Sequence, residues 1–329
     1  MDTASTDKAL VAHAPGGPDV MQWQDIATPS PGMGEVLLRQ TAIGVNFLDI
    51  YHRSGLYPWT TPTMIPGAEA AGVVEAVGPG VAGFTPGDRV AYVLPCGAYR
   101  QRRAVPAERL LALPDAISDV QIAGALLKGL TAQYLVTACH AVKPGDKILV
   151  HAAAGGVGLL LGQWLNALGA IAIGTAGSED KVALARQHGY AHVINYRTQD
   201  FVAIVRDLTG GQGVAAVYDS VGQDTWAGSL KCLQRRGVFV NFGQSSGMIT
   251  GFTLSDLARG GSLSAVRPVL FDYIATRAEL AARSTDLFAR LANGSLQTPP
   301  PHCRPLQEAA LAHADLEGRR TTGALVLLV

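Results

Sequence analysis

Cysteine is scarce in this sequence, and the few cysteines lie far apart. The 329 residues contain four of them, and no two form a CxxC pair: Cys96, Cys139, Cys232 and Cys303. A structural zinc site or a disulfide framework needs closely spaced or paired cysteines. The spacing argues against both, so we interpret the thiols as structural, with Cys139 packed in an apolar helix.

An excess of charge of one sign is also missing. Lys plus Arg and Asp plus Glu each total 26, so the formal net charge is zero at pH 7. No stretch gathers enough basic residues for a nucleic-acid or membrane footprint. No uninterrupted apolar run has the length that spans a bilayer, and MDTASTDKALVAHAPGG lacks the basic and apolar regions of a signal peptide. We expect a soluble cytoplasmic protein with small-molecule partners.

Glycine, in contrast, is abundant, and its 38 residues gather at predicted turns. The chain length favours two domains. The first 125 residues contain short apolar runs broken by Gly and Pro, such as GEVLLRQTAIGV and GDRVAYVL, which are typical of a mainly β domain. From about residue 121, apolar strands alternate with helices of roughly 10 to 15 residues, the pattern of βαβ units in a parallel sheet. We expect the final apolar strand, ALVLLV, to return to the first domain.

The segment HAAAGGVGLLLGQWLNALGA, residues 151–170, places small residues between an apolar strand and a helix. In a dinucleotide-binding turn, glycines allow a sharp bend, close approach of backbone N–H groups to the pyrophosphate, and tight packing of helix on strand. Gly155 and Gly158 hold the second and third glycine positions, and Ala153 stands at the first. Such a turn also occurs for packing alone, but the βαβ pattern that follows favours a dinucleotide.

The end of the second strand discriminates between cofactors. Folds that bind NAD usually place Asp or Glu about 20 residues beyond the turn to hold the ribose hydroxyls. Here AIAIGTAGSEDK has Gly177 and Ser178 in that region, and Lys181 follows where an ammonium can meet a 2′-phosphate. A lone Lys is also a common solvated helix residue, and Tyr196 is either a nearby contact or plain surface. The pattern favours NADPH over NADH.

Several ordered segments together resemble one known family. They are AIGVNFLDIYHRSGLYP (42–58), PGAEAAGVVEAVG (66–78), AAAGGVG (152–158), VYDSVGQDTW (217–226) and LQRRG (233–237). On these segments the chain resembles the zinc-independent quinone oxidoreductases, a zeta-crystallin-like family of the medium-chain dehydrogenase/reductase superfamily. The resemblance covers essentially the whole chain.

The departures from zinc-dependent members of that superfamily are informative. Those members hold zinc through a Cys in the segment that reads GVNFLD here and a His in the segment that reads GAE here. This sequence has Asn46 and Ala68 in those neighbourhoods, and neither supplies the usual thiolate or imidazole ligand. The resemblance therefore implies that no metal is bound.

The resemblance also implies a domain organisation. It indicates an α/β protein with a GroES-like, mainly β catalytic domain of residues 1–127 and 269–329. A Rossmann domain of residues 128–268, with a doubly wound parallel sheet, binds NADPH, and the active cleft lies where the domains meet. The apolar stretch GGSLSAVRPV is expected to pair with its two-fold mate in a homodimer.

Individual site residues follow from the resemblance. Asn46, Tyr51 and Tyr57 are expected to serve the acceptor as catalytic hydrogen-bond donors. The implied cofactor-binding residues are Phe47, Thr131, Tyr134, Ala154, Gly155, Gly156, Val157, Gly177, Ser178, Lys181, Tyr196, Ser220, Phe242, Gly243, Gln244, Ser245, Arg267 and Arg319. An Arg at either of the last two positions is alternatively an ordinary ion-pair residue. Asp49 is interpreted as orienting its loop, and His52 and His151 as structural.

The implied reaction is delivery of reducing equivalents from NADPH to a quinone. A quinone oxygen that becomes anionic needs hydrogen-bond donors and a proton but no metal. NADPH-dependent reduction of the C=C bond of alkenals or enones uses the same hydride geometry and stays open as an alternative. An alternative of another class, a nucleic-acid-binding or structural protein like some zeta-crystallins, is disfavoured by the neutral charge and the retained cofactor residues.

Overall fold

The structure is a computed structural model that describes residues 6–329. Its strands, in chain order, are β1 (Thr6–Ala12), β2 (Met21–Ala27), β3 (Glu35–Val45), β4 (Glu69–Val77), β5 (Arg89–Val93), β6 (Arg102–Pro106), β7 (Leu110–Ala112), β8 (Lys147–Val150), β9 (Ile171–Ala176), β10 (His192–Asn195), β11 (Val214–Asp219), β12 (Leu233–Asn241), β13 (Ser264–Val266), β14 (His302–Pro305) and β15 (Leu325–Leu328).

The helices follow the same order. They are α1 (Phe47–Arg53), α2 (Asp119–Tyr134), α3 (Gly156–Ala167), α4 (Glu179–Gln187), α5 (Phe201–Leu208), α6 (Trp226–Cys232), α7 (Leu254–Arg259), α8 (Leu270–Tyr273), α9 (Arg277–Ala292) and α10 (Ala309–Glu317). Short 3₁₀ helices cover Pro18–Val20, Ala107–Arg109 and Leu306–Glu308, and a π-helix, Leu135–Cys139, continues α2.

The described chain forms two compact units. Unit 1 contains residues 6–127, 274–294 and 298–329, and unit 2 contains residues 128–273 and 295–297. Unit 1 is mainly β, and unit 2 is a parallel α/β structure. The fold class that the sequence predicts is therefore confirmed.

Unit 1 is built on a seven-stranded sheet. The strand order is β14-β15-β3-β4-β5-β7, and β6 pairs with residues 35–39 of β3, on the side opposite β4. The last strand, β15, lies antiparallel to β3, so the C-terminal apolar segment completes this sheet as its sequence suggests. Alternating apolar residues of the strands, such as Leu38, Ile43 and Tyr92, form the buried core. Helix α1 follows β3 directly and so begins at the end of a central strand.

Unit 2 is a six-stranded sheet in which every pairing is parallel. Its order is β10-β9-β8-β11-β12-β13. Apolar residues that include Leu149, Ile173 and Val217 fill its core. Parallel strands end at one edge, where ligands of such sheets bind in the loops that follow the strands. This edge positions most of the residues considered below.

One continuous helical stretch, Asp119–Cys139, is long and apolar enough to cross a membrane by composition. It contains 21 residues, and 83% of its most apolar 18-residue window is buried within the protein. A stretch buried to this extent is typical of a core helix, and it combines α2 with the π-helix that follows.

Candidate active site

The glycine turn of unit 2 connects β8 to α3. Its left-handed residue is Ala152, with φ of 56°, rather than the neighbouring Ala153 that stands at the first glycine position. A Cβ on Gly158 would lie 2.4 Å from the carbonyl oxygen of Ala152 and 2.7 Å from that of Ala153. Helix α3 therefore packs onto the turn only because position 158 carries no side chain.

The start of α3 presents backbone donors. Gly155 is the N-cap residue, and Gly155, Gly156 and Val157 are all partly exposed, whereas Ala154 is buried. The first N–H groups of a helix lack intrahelical acceptors, and the helix dipole adds a partial positive charge there. This arrangement suits a phosphate group.

A tyrosine lies against the loop that follows β9. A Cβ on Gly177 would come within 2.6 Å of Oη of Tyr196, which follows β10 and is 41% exposed. The missing side chain at position 177 thus allows the phenol to approach the end of β9. The structure therefore brings together two residues, Gly177 and Tyr196, that the sequence analysis assigned to cofactor binding.

The start of α4 carries two more of the predicted cofactor residues, Ser178 and Lys181. Ser178 caps the helix, and its hydroxyl accepts a hydrogen bond from the backbone N–H of Lys181 at 3.4 Å. Lys181 is partly exposed in this turn. The nearby Glu179 accepts a hydrogen bond from Nδ2 of Asn195 at 2.6 Å, so its carboxylate is engaged with the end of β10.

The loops after β11 and β12 are joined by backbone contacts. The N–H of Phe242 donates to the carbonyl of Asp219 at 2.8 Å, and that of Ser245 donates to the carbonyl of Ser220 at 3.2 Å. A Cβ on Gly243 would lie 2.7 Å from the same Ser220 oxygen. The two loops can therefore lie this close only with glycine at position 243.

Not all of the predicted cofactor residues lie in these loops. Arg267 is near them, because its guanidinium donates to the carbonyl of Asn241 at 3.1 Å. Thr131 and Tyr134 are buried on α2, where Tyr134 stacks on Tyr273 with ring centroids 4.4 Å apart. Arg319 is exposed in unit 1, just after α10, with φ of 55°.

In unit 1, α1 and the turn after it carry an aromatic cluster. The rings of Phe47 and Tyr51 have centroids 6.1 Å apart, and Tyr57 lies edge-on to Tyr51 at 5.4 Å and to His52 at 5.5 Å. The N–H of Tyr57 donates to the carbonyl of Tyr51 and turns the chain back. Burial lowers the pKa of His52, so this imidazole is neutral at pH 7. The cluster offers flat apolar surface and two phenols.

Asn46 is held at the N-terminus of α1 by two buried carboxylates. Its backbone N–H donates to Asp49 at 2.8 Å, and its side-chain Nδ2 donates to Oε1 of Glu69 at 2.9 Å. The other oxygen of Glu69 accepts from the N–H of Leu127 at 2.6 Å. A Cβ on Gly44 would lie 2.3 Å from Oε1, so glycine leaves the space for the carboxylate. Asp49 orients its loop, in agreement with the sequence interpretation.

A second buried network lies behind Asp49. The hydroxyl of Tyr99 is 3.1 Å from Oδ2 of Asp49 and 2.8 Å from Nε2 of His313. Nδ1 of His313 is 3.2 Å from the guanidinium of Arg53, which also forms a bidentate pair with Glu317. Burial, together with the Arg53 charge, lowers the pKa of His313 to about 3. The sequence analysis missed these partners of Asp49, and it missed Glu69.

Two family models match this chain in sequence. Residues 32–147 match the alcohol dehydrogenase GroES-like domain, and residues 156–280 match the zinc-binding dehydrogenase domain. Quinone oxidoreductase 1 of Escherichia coli is 46% identical over 322 residues, which cover 96% of this chain and 98% of the relative. The chain belongs to the quinone oxidoreductase family. This result confirms the resemblance stated from the sequence.

Other members of this quinone oxidoreductase family extend the comparison. The crystal structure of Escherichia coli quinone oxidoreductase complexed with NADPH has a TM-score of 0.95 and 44% identity, covering 99% of this chain and 100% of that one. The 2-haloacrylate reductase of a Burkholderia species is 48% identical over 327 residues, covering 97% of this chain and 98% of the relative. The family thus contains proteins named for two kinds of acceptor.

One of the two matching domain families is named for zinc binding, but the residues that the structure describes do not fit a zinc site. Among residues 6–329, no group of three or more His, Cys, Asp or Glu side chains could hold a metal ion. At the position discussed for a thiolate ligand, the amide of Asn46 donates a hydrogen bond to Glu69. An amide N–H is not a zinc ligand. The residues around Asn46 therefore do not form a zinc site.

Proposed function

We propose that this protein is an NADPH-dependent quinone oxidoreductase. The observation that carries the proposal is the end of β9, where Gly177 lies beneath Tyr196 and Lys181 follows in the first turn of α4. A tyrosine hydroxyl and a lysine ammonium are groups that can bind a 2′-phosphate. The 46% identity to the Escherichia coli enzyme over nearly the full length supports the same activity.

For unit 2 we propose the role of cofactor domain, assigned to residues 128–268. The donors at the start of α3 would hold the pyrophosphate, and the loop of Gly177, Ser178 and Lys181 the 2′-phosphoribose. The residues that we assign to the nicotinamide half follow β11 and β12: Ser220, Phe242, Gly243, Gln244 and Ser245. Bound NADPH supplies the hydride. The close backbone contacts at Gly243 and Gly158 provide rigid support for this site.

For residues 1–127 and 269–329 we propose the role of catalytic domain. Asn46, Tyr51 and Tyr57 would donate hydrogen bonds to the acceptor oxygen as it becomes anionic. The Glu69 carboxylate fixes the amide of Asn46 through its Nδ2, and the aromatic contacts of α1 fix the two phenols. Rings that pack edge-on also provide a flat apolar surface suited to a conjugated acceptor.

A second candidate function is reduction of an activated C=C bond. The 48% identity to a 2-haloacrylate reductase favours it. Both reactions need a hydride acceptor that is planar and conjugated, and both develop negative charge on an oxygen. The donors proposed in unit 1 serve either acceptor.

Initial rates of NADPH oxidation, followed by absorbance at 340 nm, test both functions. We expect loss of NADPH with 1,4-benzoquinone or 9,10-phenanthrenequinone, and a slower reaction with NADH. Faster turnover of a 2-haloacrylate or a 2-alkenal would assign the protein to the C=C reductases. Binding of NADPH without turnover of any acceptor would contradict both proposals.

We further propose that the protein acts as a soluble cytoplasmic homodimer. Strand β13 is an edge strand of the unit 2 sheet, and Val269 next to it is 47% exposed. An edge strand that pairs with its two-fold mate would continue the sheet into a second copy. Light scattering after size exclusion should give the mass of two chains, and the mass of one chain at micromolar concentration would contradict the dimer.

A further inference from the structure

Four buried side chains form a continuous hydrogen-bonded chain across unit 2. Oγ1 of Thr175 lies 2.9 Å from Nδ1 of His151, and Nε2 of His151 lies 3.0 Å from Oγ of Ser229. The hydroxyl of Ser229 donates to Oδ2 of Asp219 at 3.0 Å. Each of the four is at most 2% exposed. We call this chain the loop tie.

The chemistry of its members fixes the direction of the loop tie. Asp219 can only accept, so the single hydroxyl proton of Ser229 points to it and Ser229 must accept from His151. Nε2 of His151 therefore carries the proton, and Nδ1 accepts from the hydroxyl of Thr175. Burial lowers the pKa of His151, in agreement with a neutral imidazole. The ring also packs edge-on against Phe201, with centroids 5.1 Å apart.

The loop tie joins neighbouring strands at their carboxyl ends. Thr175 is in β9, His151 follows β8 and Asp219 ends β11, and these strands are adjacent in the sheet. Nδ2 of Asn241, at the end of β12, donates to the carbonyls of Asp219 and Gly243 at 3.3 and 2.8 Å. A cofactor-binding loop follows each of these four strands.

Asp219 also organises its own loop. Its Oδ1 accepts from the backbone N–H groups of Val221 and Gly222, and its Oδ2 accepts from the hydroxyl of Thr225 at 2.7 Å. A shift of the carboxylate would therefore move the whole segment after β11. Because Ser229 connects this carboxylate to His151, the segment is coupled to the residue that precedes the glycine turn.

We propose that Thr175, His151 and Ser229 are positioning residues for NADPH, because they hold the loops after β9, β8 and β11 in fixed relation to one another. The inference rests on the proposed function. Backbone hydrogen bonds from the N–H of His151 to Tyr218 and from that of Ala153 to Thr175 also join these strand ends. The loop tie adds side-chain links between the same segments. A dinucleotide touches all of these loops at once, so its affinity depends on their mutual placement. None of the three residues needs to touch the cofactor.

Two substitutions cut the loop tie with little change in shape. Thr175→Val removes the hydroxyl that donates to Nδ1 of His151, and Ser229→Ala removes the link between His151 and Asp219. Thr209→Val and Ser284→Ala are matched controls, because both hydroxyls are buried and bond only to local backbone. Calorimetric NADPH titration gives the dissociation constant of each variant, and thermal unfolding gives its stability.

We expect Thr175→Val and Ser229→Ala each to raise the dissociation constant for NADPH by about 3- to 10-fold, the equivalent of one neutral hydrogen bond. Thr175→Val cuts the link between the segments at β9 and β8, and Ser229→Ala cuts the link between those at β8 and β11. The double variant should therefore bind NADPH more weakly than either single variant. The KM for NADPH should rise, whereas the KM for the quinone and kcat at saturating NADPH stay unchanged. The controls should lower the unfolding temperature without altering NADPH affinity.

Unchanged NADPH affinity in both loop-tie variants, or an equal loss in the controls, would overturn the inference and leave a purely structural network. A double variant that binds NADPH no more weakly than either single variant would contradict the two separate links. Failure of the wild-type protein to bind NADPH would instead remove the proposed function, and the positioning role with it. The wild-type titration therefore separates the two failures.

Discussion

The hydroxyl oxygen of Tyr99 lies 2.8 Å from Nε2 of His313, although the two residues are 214 positions apart in the chain. Since this hydroxyl donates to Asp49, Nε2 of His313 carries the proton and its Nδ1 accepts from Arg53. The contact connects α10 to the loop that holds Asn46. It also keeps the imidazole neutral, because burial and the guanidinium lower its pKa to about 3.

Because the folded protein keeps this imidazole neutral, we expect its stability to decrease as the pH is lowered. In the unfolded chain His313 binds a proton near pH 6.5, whereas the native state excludes it down to about pH 3. The free energy of unfolding should therefore decrease as the pH falls below about 6.5, by up to about 1.4 kcal/mol per pH unit. His313→Gln should be less stable at neutral pH but show a smaller decrease, as measured by denaturant unfolding between about pH 6.5 and 5.

If the profile of His313→Gln ran parallel to that of the wild type, the native state would bind the proton at His313 and the assigned hydrogen-bond direction would be wrong.

Asn46→Asp should test the contact with Glu69. The substitution replaces a donor, 2.9 Å from a buried carboxylate, with a second carboxylate. Two such groups do not ionise together, so the pair takes up a proton in the folded state at a pH where the unfolded chain does not. We expect a loss of about 2 to 4 kcal/mol in unfolding free energy at pH 8. Part of it should return at pH 6, because a raised folded pKa favours the native state as the pH falls.

Asn46→Ala provides the comparison, since it removes the donor without adding a charge. Its stability should follow the wild-type pH profile at a lower level. Chemical unfolding at pH 8 and pH 6 gives the unfolding free energy of each variant. Identical pH profiles for the Asp and Ala variants would show that Glu69 does not face this side chain.

Lys181→Ala should separate the two nicotinamide cofactors. The ammonium is proposed to bind the 2′-phosphate, so its loss should weaken NADPH binding by about 10- to 100-fold, as for a charge-assisted hydrogen bond. NADH, which lacks this phosphate, should bind as before. Titration of both cofactors measures the ratio, with Lys231→Ala as an exposed control. Equal losses for NADPH and NADH would place the 2′-phosphate elsewhere.

Ala152→Gly should stabilise the protein. Ala152 holds a left-handed backbone, φ of 56°, which costs a residue with a Cβ about 1 to 2 kcal/mol. Glycine removes this cost but gains freedom in the unfolded chain, so we expect a net gain of about 0.5 to 1 kcal/mol. Ala153→Gly, which deletes a buried methyl in an ordinary conformation, should destabilise. Thermal unfolding compares the two, and a loss in both would contradict the strain at position 152.

Local patterns in the sequence explain which parts of this structure were predictable. The alternation of strands and helices in unit 2 has a clear period, so the order of its elements was predictable. Helices α4, α5 and α6 have nine, eight and seven residues and are shorter than the sequence suggests. The exceptions, α7, β13 and α8, have six, three and four residues and are too short to show a period. Strands β1 and β2 pair with each other, but each is a short apolar run like those around it, so their sequence does not set them apart.

The candidate site was predictable only where function depends on adjacent residues. The glycine turn and the end of β9 are contiguous, and their spacing indicates a nucleotide phosphate. The partners of Asn46 and Asp49 come from distant strands and helices, so no spacing reveals them. A charged residue at the start of the apolar strand EAAGVVEAV was the one available signal for Glu69.

The place of β15 between β14 and β3 imposes an order on folding. Unit 2 is drawn from residues 128–273 apart from three residues, so nearly all of it has left the ribosome before β15 is synthesised. Strand β6 pairs with residues 35–39 of β3, but residues 42–45 stay unpaired on that side until residues 325–328 arrive. An exposed strand edge attracts other chains. A chaperone would therefore be most useful during synthesis, before β15 covers the exposed edge of β3.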